Sequence, residues 1–196
     1  GHPSVLRFSS YRSFDRVFYR KDGVRITGIS FFNGKLYCTD TDNHRVLVLN
    51  RGGDSDLKFG KRGGGPGEFN YPTHIDVNEQ GIFVTDALNF RIQVFDHQGN
   101  HIRSFGRNGR RGGDFSKPKA VAIDGKGRIF VSDAMFDNVQ VFDLDGRFLT
   151  YFGGTGNGED HFWMPGGITV GGNGRIYVSD TYNHRIKIYQ VFSEKP

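Results

Sequence analysis

RIFVSDAMFDNVQVFD, residues 128–143, decides the fold because the chain carries this stretch in four related copies. The other three are KLYCTDTDNHRVLVLN at 35–50, GIFVTDALNFRIQVFD at 81–96 and RIYVSDTYNHRIKIYQ at 175–190. The aspartates that the copies share are 46, 47 and 47 residues apart; they are Asp40, Asp86, Asp133 and Asp180. A constant period of this length indicates a repeat protein whose units pack against their neighbours.

A second marker keeps the same period. Pro72, Pro118 and Pro165 are 46 and 47 residues apart, and a glycine-rich stretch with a Phe precedes each of them. Between one proline and the next lie four short apolar runs separated by turn residues, which predict a four-stranded antiparallel blade. We therefore predict an all-β propeller in a single domain over residues 1–196, with repeats at approximately 24–60, 69–106, 115–153 and 162–190.

Composition narrows the classes of function. The single cysteine, Cys38, excludes an internal disulfide and a cysteine-rich metal site. It aligns with Val84, Val131 and Val178, so we expect a buried apolar filler. No run approaches 18 apolar residues, so no transmembrane segment is expected, while a removed signal peptide stays open. The formal charge of +5 favours an acidic partner.

The turn after each shared aspartate carries a motif. Asp-x-x-Asn-x-Arg occurs at Asp40, Asn43 and Arg45, at Asp86, Asn89 and Arg91, and at Asp180, Asn183 and Arg185. The third copy departs, because Asp133 is followed by Asp137 and Asn138 and the arginine is missing. The Asn tolerates a left-handed backbone and the Arg can reach the Asp, so we predict a structural role for these residues in the turn.

Together these features resemble the NHL repeat family, and the resemblance spans roughly residues 24 to 190. It implies a propeller, and NHL propellers generally have six blades. The opening stretch, residues 4–12, is predicted to be an outer strand that pairs with the last unit and closes a ring of four. The alternative is two thirds of a larger propeller, whose missing blades are absent or come from another chain; self-association would follow from such an incomplete ring.

The innermost strands offer little for catalysis. Their aligned positions are Gly28, His74, Ala120 and Gly167, and one histidine among residues without ligand atoms does not make a metal site. No nucleophile elbow or phosphate-binding loop is present. We therefore predict no catalytic residue, no metal, no cofactor and no enzyme activity. Some related propellers are metal-dependent lyases or lactonases, which stay a second alternative.

Binding residues are sought where the repeats differ. We predict a binding role for Arg107, Arg110, Arg111, Lys117, Lys119, Trp163 and His74. The predicted function is a scaffold that binds another protein through its loops. In its detail the amino-acid sequence resembles those of bacterial extracytoplasmic NHL proteins. This resemblance implies a periplasmic or extracellular location and a multihaem c-type cytochrome as one candidate partner. A cytoplasmic location stays open. The alternative is RNA binding by the basic loop, and we disfavour nucleic acid because the RNGRRGG stretch lacks interleaved aromatic residues.

Overall fold

The chain folds into short antiparallel strands arranged as propeller blades. The computed structural model describes residues 4–8 and 14–190. Within them the helical elements are two 3-10 turns, Ala87–Asn89 and Thr181–Asn183. No helix in this part of the chain is long and apolar enough to cross a membrane.

Four blades follow an N-terminal hairpin, which consists of β1 (Ser4–Phe8) and β2 (Phe14–Arg20). Blade 1 contains β3 (Ile26–Phe32), β4 (Lys35–Asp40), β5 (Arg45–Leu49) and β6 (Ser55–Phe59). Blade 2 contains β7 (Pro72–Asn78), β8 (Gly81–Asp86), β9 (Arg91–Phe95) and β10 (His101–Phe105). Blade 3 contains β11 (Pro118–Ile123), β12 (Ile129–Asp133), β13 (Asn138–Phe142) and β14 (Phe148–Gly153). Blade 4 contains β15 (Pro165–Val170), β16 (Arg175–Asp180) and β17 (Arg185–Gln190).

Neighbouring blades pack face to face, because their strands carry apolar side chains on both faces of the sheet. Val46 and Val48 of blade 1 lie in one buried core with Ile75, Ile82 and Val84 of blade 2. Equivalent cores lie between blades 2 and 3 and between blades 3 and 4. Each blade is thus held mainly by the apolar faces of its neighbours.

A phenylalanine closes each junction at the crossover loop. Phe69, Phe115 and Phe162, the Phe residues that precede the repeated prolines, are fully buried between the blades. Gly60 faces Phe69 at a φ of +94°, and a Cβ atom there would lie 2.5 Å from the Phe69 ring. Glycine is therefore required at this position for two reasons, the left-handed backbone conformation and the close approach of the Phe69 ring.

The prediction that the opening stretch pairs with the last unit is wrong. β1 pairs with β2, and the sheet of blade 4 has three strands in the described chain. The strand Phe14–Arg20 follows β1 closely in sequence, so the hairpin forms with a much smaller loop-closure cost than pairing with β17. Phe18 and Tyr19 of this hairpin pack on blade 1. Residues 9–12 of the predicted strand lie outside the described residues.

The four blades form an arc. The innermost strands β3, β7, β11 and β15 contact one another in this order. Among the described residues, no contact of similar extent joins β15 back to β3. The free face of blade 4 and the inner part of the free face of blade 1, at Ile29 and Phe31, are therefore open to solvent in this chain.

Candidate functional site

The predicted binding residues lie mostly on one face of the arc. In blades 2, 3 and 4 the proline that begins the innermost strand pairs with the aspartate that ends the second strand, for example Pro72 with Asp86, and in blade 1 Ile26 pairs with Asp40. The crossover loops therefore emerge beside the turns that follow the aspartates. We call this surface the loop face; it comprises the crossover loops 60–71, 106–117 and 154–164 and the four turns after the shared aspartates.

The regular turn ties the crossover loop to the blade. In blade 2, Asp86 accepts hydrogen bonds from Asn89 Nδ2 and Arg91 Nε, both at 2.8 Å. Arg91 also donates to the carbonyls of Gly64 at 2.9 Å and of Glu68 at 2.8 Å. The same Asp–Asn and Asp–Arg hydrogen bonds occur at Asp40, Asn43 and Arg45 and at Asp180, Asn183 and Arg185.

The third turn is built differently. Asp133 accepts hydrogen bonds from the backbone amides of Ser116, Lys117, Met135 and Phe136. Asn138 stands where the arginine would be, and its buried Oδ1 has no hydrogen-bond partner.

A cavity of about 440 Å³ adjoins Asn138, and Arg110, Arg111, Phe136 and Tyr151 are among the residues that line it. The missing arginine therefore leaves space at the crossover loop, where Gln140 Nε2 donates to the Asp114 carbonyl at 2.7 Å.

The basic loop contains one paired and two free arginines. Arg107 Nε lies 2.9 Å from Asp114 Oδ1. The backbone amide of Arg111 and the Arg107 side chain lower the pKa of the Asp114 carboxyl. Arg110 and Arg111 are exposed, and in the described chain their side chains form no hydrogen bond or ion pair.

The two predicted lysines lie at the end of this loop. Lys117 is exposed at the last position of the crossover, whereas the half-buried Lys119 lies on β11. The Lys119 carbonyl accepts a hydrogen bond from Thr73 Oγ1 of blade 2 at 3.0 Å. The structure thus groups Lys117 with the arginines of the loop and places Lys119 on the innermost strand.

Trp163 is exposed over 51% of its surface, and its backbone is fixed. Its amide donates to Asp180 Oδ1 at 2.7 Å, and its carbonyl accepts from the Tyr182 amide at 3.1 Å. The two rings stack, with centroids 5.9 Å apart. Burial raises the pKa of Asp180, but hydrogen bonds from Trp163, Asn183 and Arg185 outweigh it and lower that pKa.

A row of exposed apolar side chains was missed by the sequence reasoning. Leu88, Met135 and Tyr182 occupy the same position, two residues after the shared aspartate, in blades 2, 3 and 4. Each of the three side chains is more than half exposed. Blade 1 has Asp42 there. The aligned copies contain the signal that would have found them, because an apolar residue that recurs at an exposed turn position does not contribute to the packing between blades.

His74 lies apart from these residues, on the innermost strand β7. Burial lowers its pKa to about 4. A hydrogen bond with the Val121 backbone raises the pKa, but this effect is smaller. Its Nδ1 is buried without a hydrogen-bond partner. No cluster of three or more histidine, cysteine or acidic side chains suited to a metal occurs in the part of the chain that the structure describes. His74 is therefore a solitary neutral imidazole at neutral pH.

Two family models match the chain. The model described as NHL repeat matches residues 162–189, and one described as 6-bladed beta-propeller matches residues 22–82. A comparison with curated proteins found no matching relative.

Many solved structures resemble the fold. A structural genomics protein of unknown function from Bacteroides thetaiotaomicron has a TM-score of 0.73 at 15% identity, covering 97% of this chain and 54% of that one. A nidogen/laminin complex gives 0.69 at 18% identity, with 97% and 76% covered. Virginiamycin B lyase from Staphylococcus aureus gives 0.66 at 11% identity, with 98% and 64% covered.

This chain spans just over half the length of the Bacteroides protein and less than two thirds of that of the lyase. At these identities the likeness concerns the fold alone. The two family models match opposite ends of the array of blades, and the repeated turn links the copies between them. The last blade thus resembles the NHL repeat, and the first part of the array resembles a 6-bladed beta-propeller.

Proposed function

We propose that this chain is a non-catalytic propeller that binds another protein through the loop face. The observation that carries the proposal is the row of exposed apolar side chains at one turn position, Leu88, Met135 and Tyr182, with Trp163 stacked on the last of them. Exposed apolar groups collected on one surface mark interaction sites, and Trp and Tyr are the side chains that most often anchor them.

The charges beside this row favour an acidic partner surface. Arg110, Arg111 and Lys117 are exposed in the crossover loop next to Met135, and the whole chain carries a formal charge of +5. Charges at the rim of an interface mainly increase the association rate and the specificity. We therefore expect a partner with an apolar patch bordered by carboxylates.

Catalysis is not part of the proposal. One of the similar structures is a lyase and another is a nidogen/laminin complex, so the fold serves both classes. The only imidazole on the aligned innermost positions is His74, which lacks neighbouring ligand atoms there. A metal-dependent lyase or lactonase stays an alternative, and finding a stoichiometric divalent ion in the purified protein would favour it.

The location and the name of the partner are further predictions. A periplasmic or extracellular site in a bacterium, and a multihaem c-type cytochrome as partner, rest on the resemblance of the sequence. Absorption spectra of the captured partner under denaturing conditions test the second, since a c-type cytochrome retains its covalently attached haem and the haem band, whereas a protein without covalent haem does not.

The test is affinity capture from the source cells, followed by binding measurements with the purified partner. Trp163→Ala combined with Tyr182→Ala should weaken binding at least tenfold, or about 1.4 kcal/mol, because anchor residues carry most of the binding energy. Leu149→Ala is the matched control, since Leu149 is equally exposed but lies on the outer strand β14. Unchanged affinity of the double variant would refute the loop face as the binding surface.

RNA binding is the second candidate, because Arg110 and Arg111 are exposed without partners in the described chain. If several phosphate contacts carry the binding, affinity for single-stranded RNA should fall steeply between about 50 and 200 mM salt. Arg110→Ala with Arg111→Ala should then lower both the affinity and the salt slope. No binding at the lower salt concentration excludes this candidate.

A further inference from the structure

Three side chains around the turn of blade 3 differ in kind from those at the same positions of other blades. Asn138 stands where the others have an arginine, and Phe136 where they have an asparagine. On the outer strand, Tyr151 replaces Lys58 of blade 1 and Ser104 of blade 2. Blade 3 therefore has two aromatic rings and an amide where the repeat has polar or cationic side chains.

The crossover loop that leads into blade 3 differs as well. Arg110 and Arg111 stand where the loop of blade 2 has Gly64 and Gly65. In blade 2 the carbonyls of these two glycines accept hydrogen bonds from Arg91. The positive charge of blade 3 therefore lies on the loop itself, on side chains that are exposed to solvent.

These five side chains line a single cavity of about 440 Å³, which we call the blade 3 cavity. Its volume is within the range of about 300–1,000 Å³ that is typical of small-molecule sites. In the described chain, the buried cores on either side of blade 3 contain none of the five. Packing between blades therefore does not explain why the departures from the repeat converge here, whereas a binding site does.

The acidic groups around the blade 3 cavity already have partners. Asp114 lies beside Arg107, and Asp133 accepts hydrogen bonds from backbone amides. The buried Asp137 accepts a hydrogen bond from Thr155 Oγ1 at 2.7 Å. The two arginines of the cavity thus have no carboxylate of their own in the described chain. Because a guanidinium can bind both oxygens of a carboxylate, the cavity favours an anionic ligand.

The amide of Asn138 adds a second requirement. Its Oδ1 is buried without a hydrogen-bond partner, which is costly unless a ligand supplies one. An amide side chain can pair with a peptide group, since it offers both a donor and an acceptor. The half-buried Phe136 and the exposed Tyr151 add apolar ring surface. The cavity therefore offers groups for a carboxylate, a peptide amide and a large apolar side chain.

We propose that the blade 3 cavity binds the C-terminal residue of a protein chain that ends in a large apolar side chain. The α-carboxylate contacts Arg110 and Arg111, and the peptide amide pairs with Asn138. The apolar side chain packs on Phe136 and Tyr151. A C-terminal residue carries all three groups on one Cα atom, whereas an internal aspartate or glutamate has its carboxylate in place of an apolar side chain. The terminus would belong to the partner protein, so the proposal rests on the proposed function.

The experiment titrates the 196-residue chain with N-acetyl-L-phenylalanine and follows the backbone amide shifts by NMR. We expect the shifts to centre on residues 110–111 and 136–138. N-acetylphenylalaninamide lacks the charge and N-acetylglycine lacks the ring, so each should bind at least about tenfold more weakly. The N-acetyl, N-methylamide derivative of aspartate has only a side-chain carboxylate and should be weakened as much.

Three results would overturn the proposal. The first is that N-acetyl-L-phenylalanine causes no shifts at these residues. The second is equal binding of the uncharged amide or of the aspartate derivative, since a free C-terminus is then not recognised. The third is tighter binding of AMP, which would assign the cavity to a nucleotide.

Substitutions locate the site independently. Arg110→Gln with Arg111→Gln should weaken N-acetyl-L-phenylalanine at least about tenfold. Arg62→Gln is the matched control, because Arg62 is exposed in the crossover loop of blade 2, and should leave the affinity unchanged. Asn138→Leu should weaken N-acetyl-L-phenylalanine several-fold but not 3-phenylpropanoate, which has no peptide amide. Unchanged affinity in the arginine variant, or equal losses for both compounds in Asn138→Leu, would contradict the assigned contacts.

The probe needs no partner protein, so its result is separate from that for the loop face. If the probe fails to bind while Trp163→Ala with Tyr182→Ala weakens binding of the partner, the loop face stands and the blade 3 cavity is refuted as a site. If the probe binds and the double variant has no effect, the cavity stands and the exposed apolar row is refuted as the anchor.

Discussion

Blades 2 and 3 have the same four strands and the same crossover hydrogen bonds, yet they hold their turns in different ways. In both loops the buried Phe donates its amide to the start of the loop, from Phe69 to Lys61 and from Phe115 to Arg107. In blade 2 the cationic Arg91 connects the loop to Asp86. In blade 3 backbone amides alone satisfy Asp133.

This difference shows what the arginine contributes. A buried carboxylate that accepts several backbone amides is stable without a cation, so blade 3 keeps the fold. Blade 3 lacks the arginine that anchors the crossover loop in blade 2, where Arg91 donates to the Gly64 and Gly65 carbonyls. Loop anchoring and turn formation are therefore separable functions of the motif, and substitutions that exchange features between the blades can test each.

The largest effect is expected when the third turn is transplanted into blade 2. Asn89→Phe with Arg91→Asn should lower the free energy of unfolding by about 3–5 kcal/mol, because it leaves the buried Asp86 without its cation. Urea unfolding followed by fluorescence measures it. Lys126→Asn, at an exposed position, should change the free energy by less than about 0.5 kcal/mol. A loss below about 1 kcal/mol for the double variant would mean that backbone amides can replace the arginine in blade 2 as well.

Much of this comparison was predictable from the sequence. The period of 46 to 47 residues predicts where the strands and the repeated Phe residues lie, because every copy must bury the same faces. The strand Phe14–Arg20 was not predicted, since FDRVFYR lies before the first copy and aligns with no repeat. The cavity beside Asn138 depends on side-chain volumes and loop geometry, which the pattern does not contain. Leu88 and Met135 align in the sequence, but that their side chains are exposed is seen only in the structure.

The second difference between the blades is on the innermost strand, where blade 2 has His74 and blade 3 has Ala120. Burial lowers the pKa of His74 from 6.5 to about 4. The unfolded chain therefore binds a proton between these values that the folded chain does not, and stability is lost as the pH falls from about 6.5 to about 4. The size of this loss is about 3 kcal/mol.

His74→Ala, which copies blade 3, should remove this loss. Urea unfolding at pH 7 and at pH 4.5 measures the difference for both proteins, and other acidic losses common to both cancel. The wild type should lose about 2.5 kcal/mol more than the variant, because pH 4.5 is still above the folded pKa. Parallel pH profiles would mean that His74 is protonated in the folded chain and in contact with water.

The smallest expected effect is the repair of the third turn. Phe136→Asn with Asn138→Arg would place donors beside the carbonyls of the crossover loop and occupy part of the cavity of about 440 Å³. Two charge-assisted hydrogen bonds of about 1.5 kcal/mol each are offset by about 2 kcal/mol of side-chain entropy, so we expect a gain of about 1 kcal/mol in the free energy of unfolding. Phe136→Asn with Asn138→Lys is the matched control, because lysine brings the same charge without the planar fork that reaches two carbonyls at once. A gain with arginine alone would show that geometry fastens the loop, whereas equal gains would assign the effect to charge. If neither variant gains stability, the irregular turn is as stable as the regular one.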